Sequence, residues 1–400
     1  VPDARDPHRG LNIDVPSRIV IAGAGLAGLR AAQAARAAGH DGELVLIGAE
    51  PHPPYTRPPL SKELLKGERS AAECALPGLD SLDAELRLST AVTGVDPDAH
   101  ALTLGDGTTE SYGRLIIATG CRARSLPSEM TTDVLTLRDL ADAERLGDVI
   151  ARSAHLAIIG AGFIGCEVAA SARARGVEVT LIDSADQPLP PLGPELGARI
   201  AQLHRDHGVT LRLGVGVESA DGGEVRLSDG TTVAADHTLV AIGATLNTDF
   251  LKSSGVELAD DGGVICDGTL TSVSDPDILA AGDVAAWPHP GAGGERVRVE
   301  HWTTAAEHGR LAGANATLDP AQRAPHTAPP YFWSDQYDCK IQSAGFPAQA
   351  ARMRIVEDDP EAGRLVAEAL DGAGELVGAV TFNHARRCNE YRRRLIVEHA

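Results

Sequence analysis

The chain has 400 residues, more than one hydrophobic core usually supports, so two or three domains are expected. With 56 acidic against 36 basic residues, the net charge is −20, which argues against a nucleic-acid partner, whose phosphates demand a basic footprint. No run approaches the roughly 18 uninterrupted apolar residues of a membrane span, so a soluble protein without membrane association is expected.

Residues 1–16, rich in Pro, Asp and Arg, read as a disordered leader. No basic segment leads into an apolar signal core, so the expected location is cytoplasmic. The first ordered stretch is IVIAGAGLAGLRAA at 19–32, a β-branched strand, a glycine turn and an Ala-rich helix. Gly23 makes the tight turn, Gly25 lets backbone approach a pyrophosphate, and Gly28 lets helix meet strand. The following strand, ELVLIGAE, ends at Glu50, 22 residues beyond Gly28 and near the spacing of an acid that binds a ribose hydroxyl.

The next loop, PHPPYTRPPLSK, has five prolines that forbid helix or central strand. It is read as rigid and shaped for a ligand. After it, residues 86–120 alternate apolar and polar residues with turns at Asp96-Pro97 and Asp106-Gly107, an antiparallel excursion that returns to a parallel sheet at LIIATG.

The fingerprint then recurs 137 residues later as AIIGAGFIGCEVAA at 157–170, with Gly160, Gly162 and Gly165 in the same spacing. Its acid-ended strand VEVTLID reaches Asp183, 18 residues past Gly165, and a hairpin turning at Asp229-Gly230 follows. Two such copies predict two nucleotides held at once. On His204 and His207 a metal-like spacing falls on one predicted helix, but with no third ligand the pair is read as a solvated helix face.

From 245 to 318 the chain is expected to complete the first unit across the second, through the strand DILAAGDVA and a helix from about Thr303. Residues 319–400 open with a Pro-rich linker and hold two alternating stretches around Asp371-Gly372, which predict a small antiparallel sheet domain with a terminal helix. The boundaries are thus 17–113 with 245–318, then 114–244, then 319–400. The six cysteines, Cys74, Cys121, Cys166, Cys266, Cys339 and Cys388, are dispersed and read as free thiols of a reducing compartment. No metal site is expected.

In order, PYTRPPLSK, LIIATG, GFIGCEVAA, ILAAGDVA, VEHWTTA and PYFWSDQYDCKIQ resemble the NADH-dependent FAD reductases that serve the ferredoxins of Rieske dioxygenases and haem monooxygenases, relatives of putidaredoxin and rubredoxin reductases. The resemblance runs from about 17 to 397. It implies an α/β fold with two Rossmann-like, glutathione-reductase-like dinucleotide domains plus a small α+β C-terminal domain. It also implies a flavoprotein NADH:ferredoxin oxidoreductase of the EC 1.18.1 class, active in electron transport to an iron–sulfur ferredoxin or rubredoxin. A monomer or weak dimer is expected.

By the same resemblance the first fingerprint, with Gly23, Gly25, Leu26, Ala27, Gly28 and Glu50, holds FAD. Arg57 and Lys62 lie against the flavin. Ala118, Thr119, Gly120 and Arg124 touch the flavin nucleotide, and Gly282 and Asp283 the ribityl chain. His301, Trp302 and Trp333 fall in family motifs near the ring; core packing is the alternative for the two tryptophans. The second fingerprint, with Gly160, Gly162, Phe163, Ile164, Gly165 and Gly243, takes NADH, with Asp183 on the adenosine ribose and Glu167 near the nicotinamide. Glu167 reads equally as a first-turn acid favoured by the helix dipole. Lys62, Glu167 and Trp333 are the candidates nearest the reaction.

Asp183 repels a 2′-phosphate and SADQPLPPLG supplies no arginine, which predicts NADH over NADPH. The chain departs from the family pattern at His308, where many relatives carry glutamine, and in that loop, where a basic residue is usual. Arg386, Arg387, Arg392, Arg393 and Arg394 are candidates for docking an acidic ferredoxin. Rival readings share the architecture: a disulfide reductase or peroxidase, disfavoured because only Cys74 lies near the expected flavin loop; an NADH oxidase without a redox cysteine, which oxygen consumption matching turnover would reveal; and a redox-sensing FAD/NAD-binding protein of the apoptosis-inducing-factor kind, whose C-terminal insertions are missing here.

Overall fold

The protein is described from a computed structural model covering residues 17–398. The expected leader at 1–16 lies outside the described residues. In chain order, β1 (Arg18–Ala22) leads through the first glycine turn into α1 (Leu26–Ala37), then β2 (Glu43–Ile47), β3 (Glu85–Arg87) and β4 (Arg114–Ile117). A helix α2 (Leu140–Ile150), capped by the Asp139 carboxylate accepting the Asp142 N–H, precedes the second turn. That turn joins β5 (His155–Ile159) to α3 (Phe163–Ala174), followed by β6 (Glu178–Asp183), α4 (Pro194–Asp206), β7 (Thr210–Leu213) and β8 (His237–Val240).

The chain then returns to the first unit with β9 (Ile278–Ala280) and α5 (Trp302–Asn315). It ends in β10 (Tyr331–Gln336), β11 (Cys339–Gly345), β12 (Arg352–Asp359), β13 (Arg364–Leu370), β14 (Leu376–Phe382) and α6 (Ala385–Glu398).

These elements build two parallel sheets, in order β9-β4-β1-β2-β3 and β7-β6-β5-β8, and one antiparallel sheet, β10-β11-β14-β13-β12. The continuous apolar runs of β1, β2 and β5 follow from burial on both faces. Ile19, Ile21, Leu46 and Ile117 are fully buried or nearly so, each contributing roughly 1.5–3 kcal/mol of transfer free energy.

One expected boundary moves. Arg114–Ile117, assigned by the sequence to the second unit, pairs in parallel with β1 and β9 at the centre of the first sheet. The chain crosses between units only afterwards, at a short antiparallel ladder of Cys121–Ala123 with Ala244–Leu246. Placing the border at 113 cut off a strand whose apolar character belongs to the first core.

Each glycine does different work. Gly23 has φ +118°, and a Cβ there would sit 2.1 Å from the Ala118 carbonyl oxygen; Gly160 repeats this with φ +107° against Ala241 at 2.3 Å. At Gly28 and Gly165 a Cβ would lie 1.9 Å from the carbonyl oxygens of Gly23 and Gly160, so helix and turn touch backbone to backbone. Gly313 of α5 meets Ala31 of α1 in the same way, a Cβ there falling 2.1 Å from the Ala31 carbonyl oxygen, so the two helices pack backbone to backbone. Among the described residues no helix is long and apolar enough to cross a membrane.

Candidate functional site

A cavity of about 1050 Å³ runs from the first glycine turn to the interface of all three sheets. Gly23, Gly25, Leu26, Ala27 and Glu50 line one end, with Ala118, Thr119 and Gly120 beside them. Gly282 and Asp283, from the turn after β9, line its middle with His301 and Trp302. Phe163, Ile164 and Glu167 enter from α3, and Phe332 and Trp333 from β10.

Gly25 faces open space, where a Cβ would meet nothing within 4 Å, and no side chain caps α1. The first-turn N–H groups and positive helix end are therefore left for an anion. Gly162 repeats both features at the start of α3. Behind that second turn, Asp183 accepts the N–H groups of Ala161 (2.6 Å) and Ala185 (2.8 Å), while Gly243 follows the segment that closes on Gly160.

The floor of the cavity holds a buried ion pair. Lys62 Nζ lies 2.6 Å from Glu167 Oε2, with side chains 8 % and 4 % exposed. Ser61 Oγ donates to the same oxygen at 2.5 Å, and Ser334 Oγ donates to Oε1 at 2.6 Å. Lys62 also donates to the Pro58 carbonyl at 3.2 Å. The proline loop, the second fingerprint helix and the C-terminal sheet thus meet at one carboxylate. An exposed first-turn acid would make none of these contacts, so the helix-dipole reading of Glu167 does not describe it.

Asp283 pairs with Arg138 (2.9 Å) and accepts from the Cys121 thiol (3.2 Å). Burial, then the Asp283 carboxylate, pushes that thiol far above its ordinary range. Trp302 donates its indole N–H to Thr56 at 3.1 Å, and its ring meets Trp333 edge-on at 6.0 Å. Both tryptophans are half-buried in the cavity wall, whereas the third, Trp287, is fully buried in the core. Burial lowers the His301 imidazole to about 4, so it stands neutral against Phe332.

Arg57 lines the cavity, as does Lys62, and there pairs with Glu50 and donates to the Tyr55 hydroxyl and the Arg138 carbonyl. Several expectations change. Arg124 is exposed and donates to the Ala244 carbonyl on the crossing ladder, outside the cavity lining; Arg138 supplies the guanidinium at Asp283. The thiol in the cavity is Cys121, not Cys74. His308 lies behind the cavity wall, packed on Trp287 (4.3 Å between ring centroids) and His326 (4.5 Å).

His204 is not on a solvated face: it is fully buried where α4 docks on the C-terminal sheet, its Nδ1 2.9 Å from the Tyr337 hydroxyl. Among the C-terminal arginines, Arg386 and Arg387 pair with Glu390, and Arg392 with Glu307. Arg393 and Arg394 are exposed.

Sequence reasoning missed Ser61, Ser334, Arg138 and Cys121. For Ser334 a signal existed: alternation in YFWSDQ puts Phe332, Ser334 and Gln336 on one face, a polar pair inward on a buried strand. Arg138 had none, because its partner is 145 residues away.

Residues 17–309 match the family described as pyridine nucleotide-disulphide oxidoreductase, and residues 331–400 match the reductase C-terminal family. The chain is 38 % identical over 373 residues to the ferredoxin–NAD(+) reductase component of the p-cumate 2,3-dioxygenase system of Pseudomonas putida, covering 92 % of this chain and 90 % of that one. Among solved structures it resembles the ferredoxin reductase for the CYP199A2 system from Rhodopseudomonas palustris, with a TM-score of 0.88, 34 % identity and coverage of 96 % and 95 %. It also resembles putidaredoxin reductase in its covalent complex with putidaredoxin, with a TM-score of 0.86, 30 % identity and coverage of 94 % and 92 %. The chain belongs to the pyridine nucleotide-disulphide oxidoreductase family and carries that family's reductase C-terminal domain.

Proposed function

We propose that this chain is the NADH-oxidising FAD reductase of an oxygenase system, passing electrons to a [2Fe–2S] ferredoxin or a rubredoxin. The observation that carries the reading is the single cavity that begins at one glycine cradle and ends at the helix of the other, with Lys62 and Glu167 joined on its floor. The relatives named above, reductases of ferredoxin-dependent oxygenases, support the acceptor.

The residues present fit FAD. Gly25 and the uncapped α1 leave room and N–H donors for a pyrophosphate, Glu50 stands where a ribose would lie, and Asp283 lines the middle of the cavity for a polyol chain. FAD, when bound, takes up two electrons as a hydride and gives them out singly. The chain's own work is to hold Lys62 at the floor, to fix the Glu167 carboxylate beside it with two hydroxyl donors, and to exclude water with Phe163, Phe332 and the two tryptophans. Gly160, Gly162 and Asp183 would hold NADH along α3, with Phe163 and Ile164 over the shared floor.

No thiol is poised for disulfide or peroxide chemistry. All six cysteines are free and buried, and Cys121 is held as the thiol. We take the protein to act in the cytoplasm as a monomer or weak dimer; the free cysteines are in keeping with a reducing compartment. Arg386, Arg393 and Arg394, exposed on α6, are the arginines of that run we assign to the acidic acceptor.

Aerobic NADH consumption followed with and without an oxidised [2Fe–2S] ferredoxin, beside an oxygen electrode, tests the reading. Strong stimulation by ferredoxin is expected. Oxygen uptake that matches NADH consumption, unaffected by ferredoxin, would make the protein an oxidase instead.

A further inference from the structure

Glu167 receives Ser334, and Ser334 is itself held. Gln336 Nε2 donates to Ser334 Oγ at 3.3 Å, and both side chains are fully buried. Beyond it, Gln336 acts on the His204 ring as a hydrogen-bonding neighbour that raises its pKa, although Gln336 Oε1 and His204 Nε2, both buried, are left without a formed hydrogen bond. The far side of the ring, Nδ1, meets the Tyr337 hydroxyl at 2.9 Å. Three of these residues lie on or directly after β10, and His204 lies on α4 of the second unit.

The chemistry of the string is directional. A serine hydroxyl has one hydrogen, and here Glu167 Oε1 takes it. It can do so only while Gln336 presents its nitrogen to Ser334; a reversed amide would offer Oε1, which would draw the hydrogen away from Glu167. With the nitrogen so placed, Gln336 Oε1 is left needing a donor, and a His204 ring with its hydrogen on Nε2, itself unpartnered, is the group able to close on it. Tyr337 then donates to the bare Nδ1. Burial lowers this imidazole to about 4, so the ring is neutral at physiological pH and its tautomer is the variable that matters.

We infer that His204 and Gln336, acting through Ser334, are positioning residues for Glu167, so that the tautomer of a histidine in the second unit fixes the carboxylate that holds Lys62. The inference rests on the proposed reaction at that pair. With the bond between His204 Nε2 and Gln336 Oε1 closed, every donor in the string points toward Glu167, and a fully satisfied buried network specifies one geometry where a partly satisfied one does not.

The test combines a ring measurement with anaerobic stopped-flow reduction of the holoprotein by NADH. The ring measurement is the ¹⁵N shift pattern of His204, assigned with His204→Phe. An Nε2–H tautomer is expected; an Nδ1–H tautomer would overturn the inference without reference to activity. In stopped flow, Ser334→Ala should lower the limiting rate of flavin bleaching about tenfold with the NADH half-saturation within about twofold, since a hydrogen bond to a charged group is lost.

His204→Phe, which keeps ring volume, should lower the rate about threefold and shift the absorption band of the oxidised flavin. Ser334→Thr should recover most of the alanine loss. Because His204 acts through Ser334, the double variant Ser334→Ala/His204→Phe should be no slower than Ser334→Ala. Losses that multiply, or a His204→Phe protein with parental rate and spectrum, would overturn the inference. A parent protein that NADH fails to bleach would instead overturn the proposed function, leaving the ¹⁵N result to decide the string.

Discussion

Replacing Lys62 with methionine keeps the length of the side chain and removes its charge, stranding Glu167 as a carboxylate 4 % exposed with two hydroxyl donors and no cation. Breaking a buried ion pair from one side costs about 3–5 kcal/mol. The Ser61 and Ser334 hydroxyls remain, which puts the loss near the lower end, about 3 kcal/mol. At about 2 °C per kcal/mol, the low end for large domains, the Tm should fall by about 6 °C. Removing the stranded charge as well, in Lys62→Met/Glu167→Gln, should recover most of that stability while NADH-driven flavin bleaching stays slow in both variants. The assay is thermal unfolding of the holoprotein followed by flavin fluorescence, with bleaching measured on the same samples. A single variant that melts with the parent, or a double variant that falls as far as the single, would refute the buried-pair account.

The two fingerprints should separate by cofactor. A Cβ at Gly28 or Gly165 would lie 1.9 Å from a carbonyl oxygen of its own turn, with only backbone to yield. Gly28→Ala should be purified without flavin, whereas Gly165→Ala should stay yellow and need at least about tenfold more NADH for half-maximal bleaching; flavin loss in both would show that the turns do not act separately. Burial holds His308 neutral, its pKa well below the ordinary range. Protonation therefore favours the unfolded chain, and the stability is complete above about pH 6.5 and lost as the pH falls, at about 1.4 kcal/mol per unit. His308→Gln should flatten the dependence of Tm on pH between about 6 and 4.5, and an unchanged slope would show that this ring carries none of it. With Asp183 beside the second turn and no arginine following in SADQPLPPLG, kcat/KM should favour NADH over NADPH by about two orders of magnitude, and equal values would contradict that assignment.

What the sequence disclosed was local. Strand, glycine turn, helix and acid follow one another within about thirty residues, so both cradles and the acids Glu50 and Asp183 could be read from spacing alone. Lys62 and Glu167 were each legible from a motif, but their contact was not, because it joins residues 105 apart across two units. Arg138 at Asp283 and Ser334 at Glu167 were hidden for the same reason, with separations of 145 and 167. His204 was misread because helical periodicity tells which face a residue is on, but not whether a later domain will cover that face. The strand at 114–117 was put in the wrong unit because a returning strand looks the same whichever parallel sheet receives it.

The most direct measurement is anaerobic double mixing: the yellow holoprotein with one equivalent of NADH, then with an oxidised [2Fe–2S] ferredoxin. Fast bleaching followed by fast return of the flavin colour, with reduction of the iron–sulfur centre, is the predicted result. Slow bleaching, or fast bleaching that a panel of ferredoxins and rubredoxins leaves unreversed while oxygen reverses it, would contradict the assignment as an electron-transferring reductase.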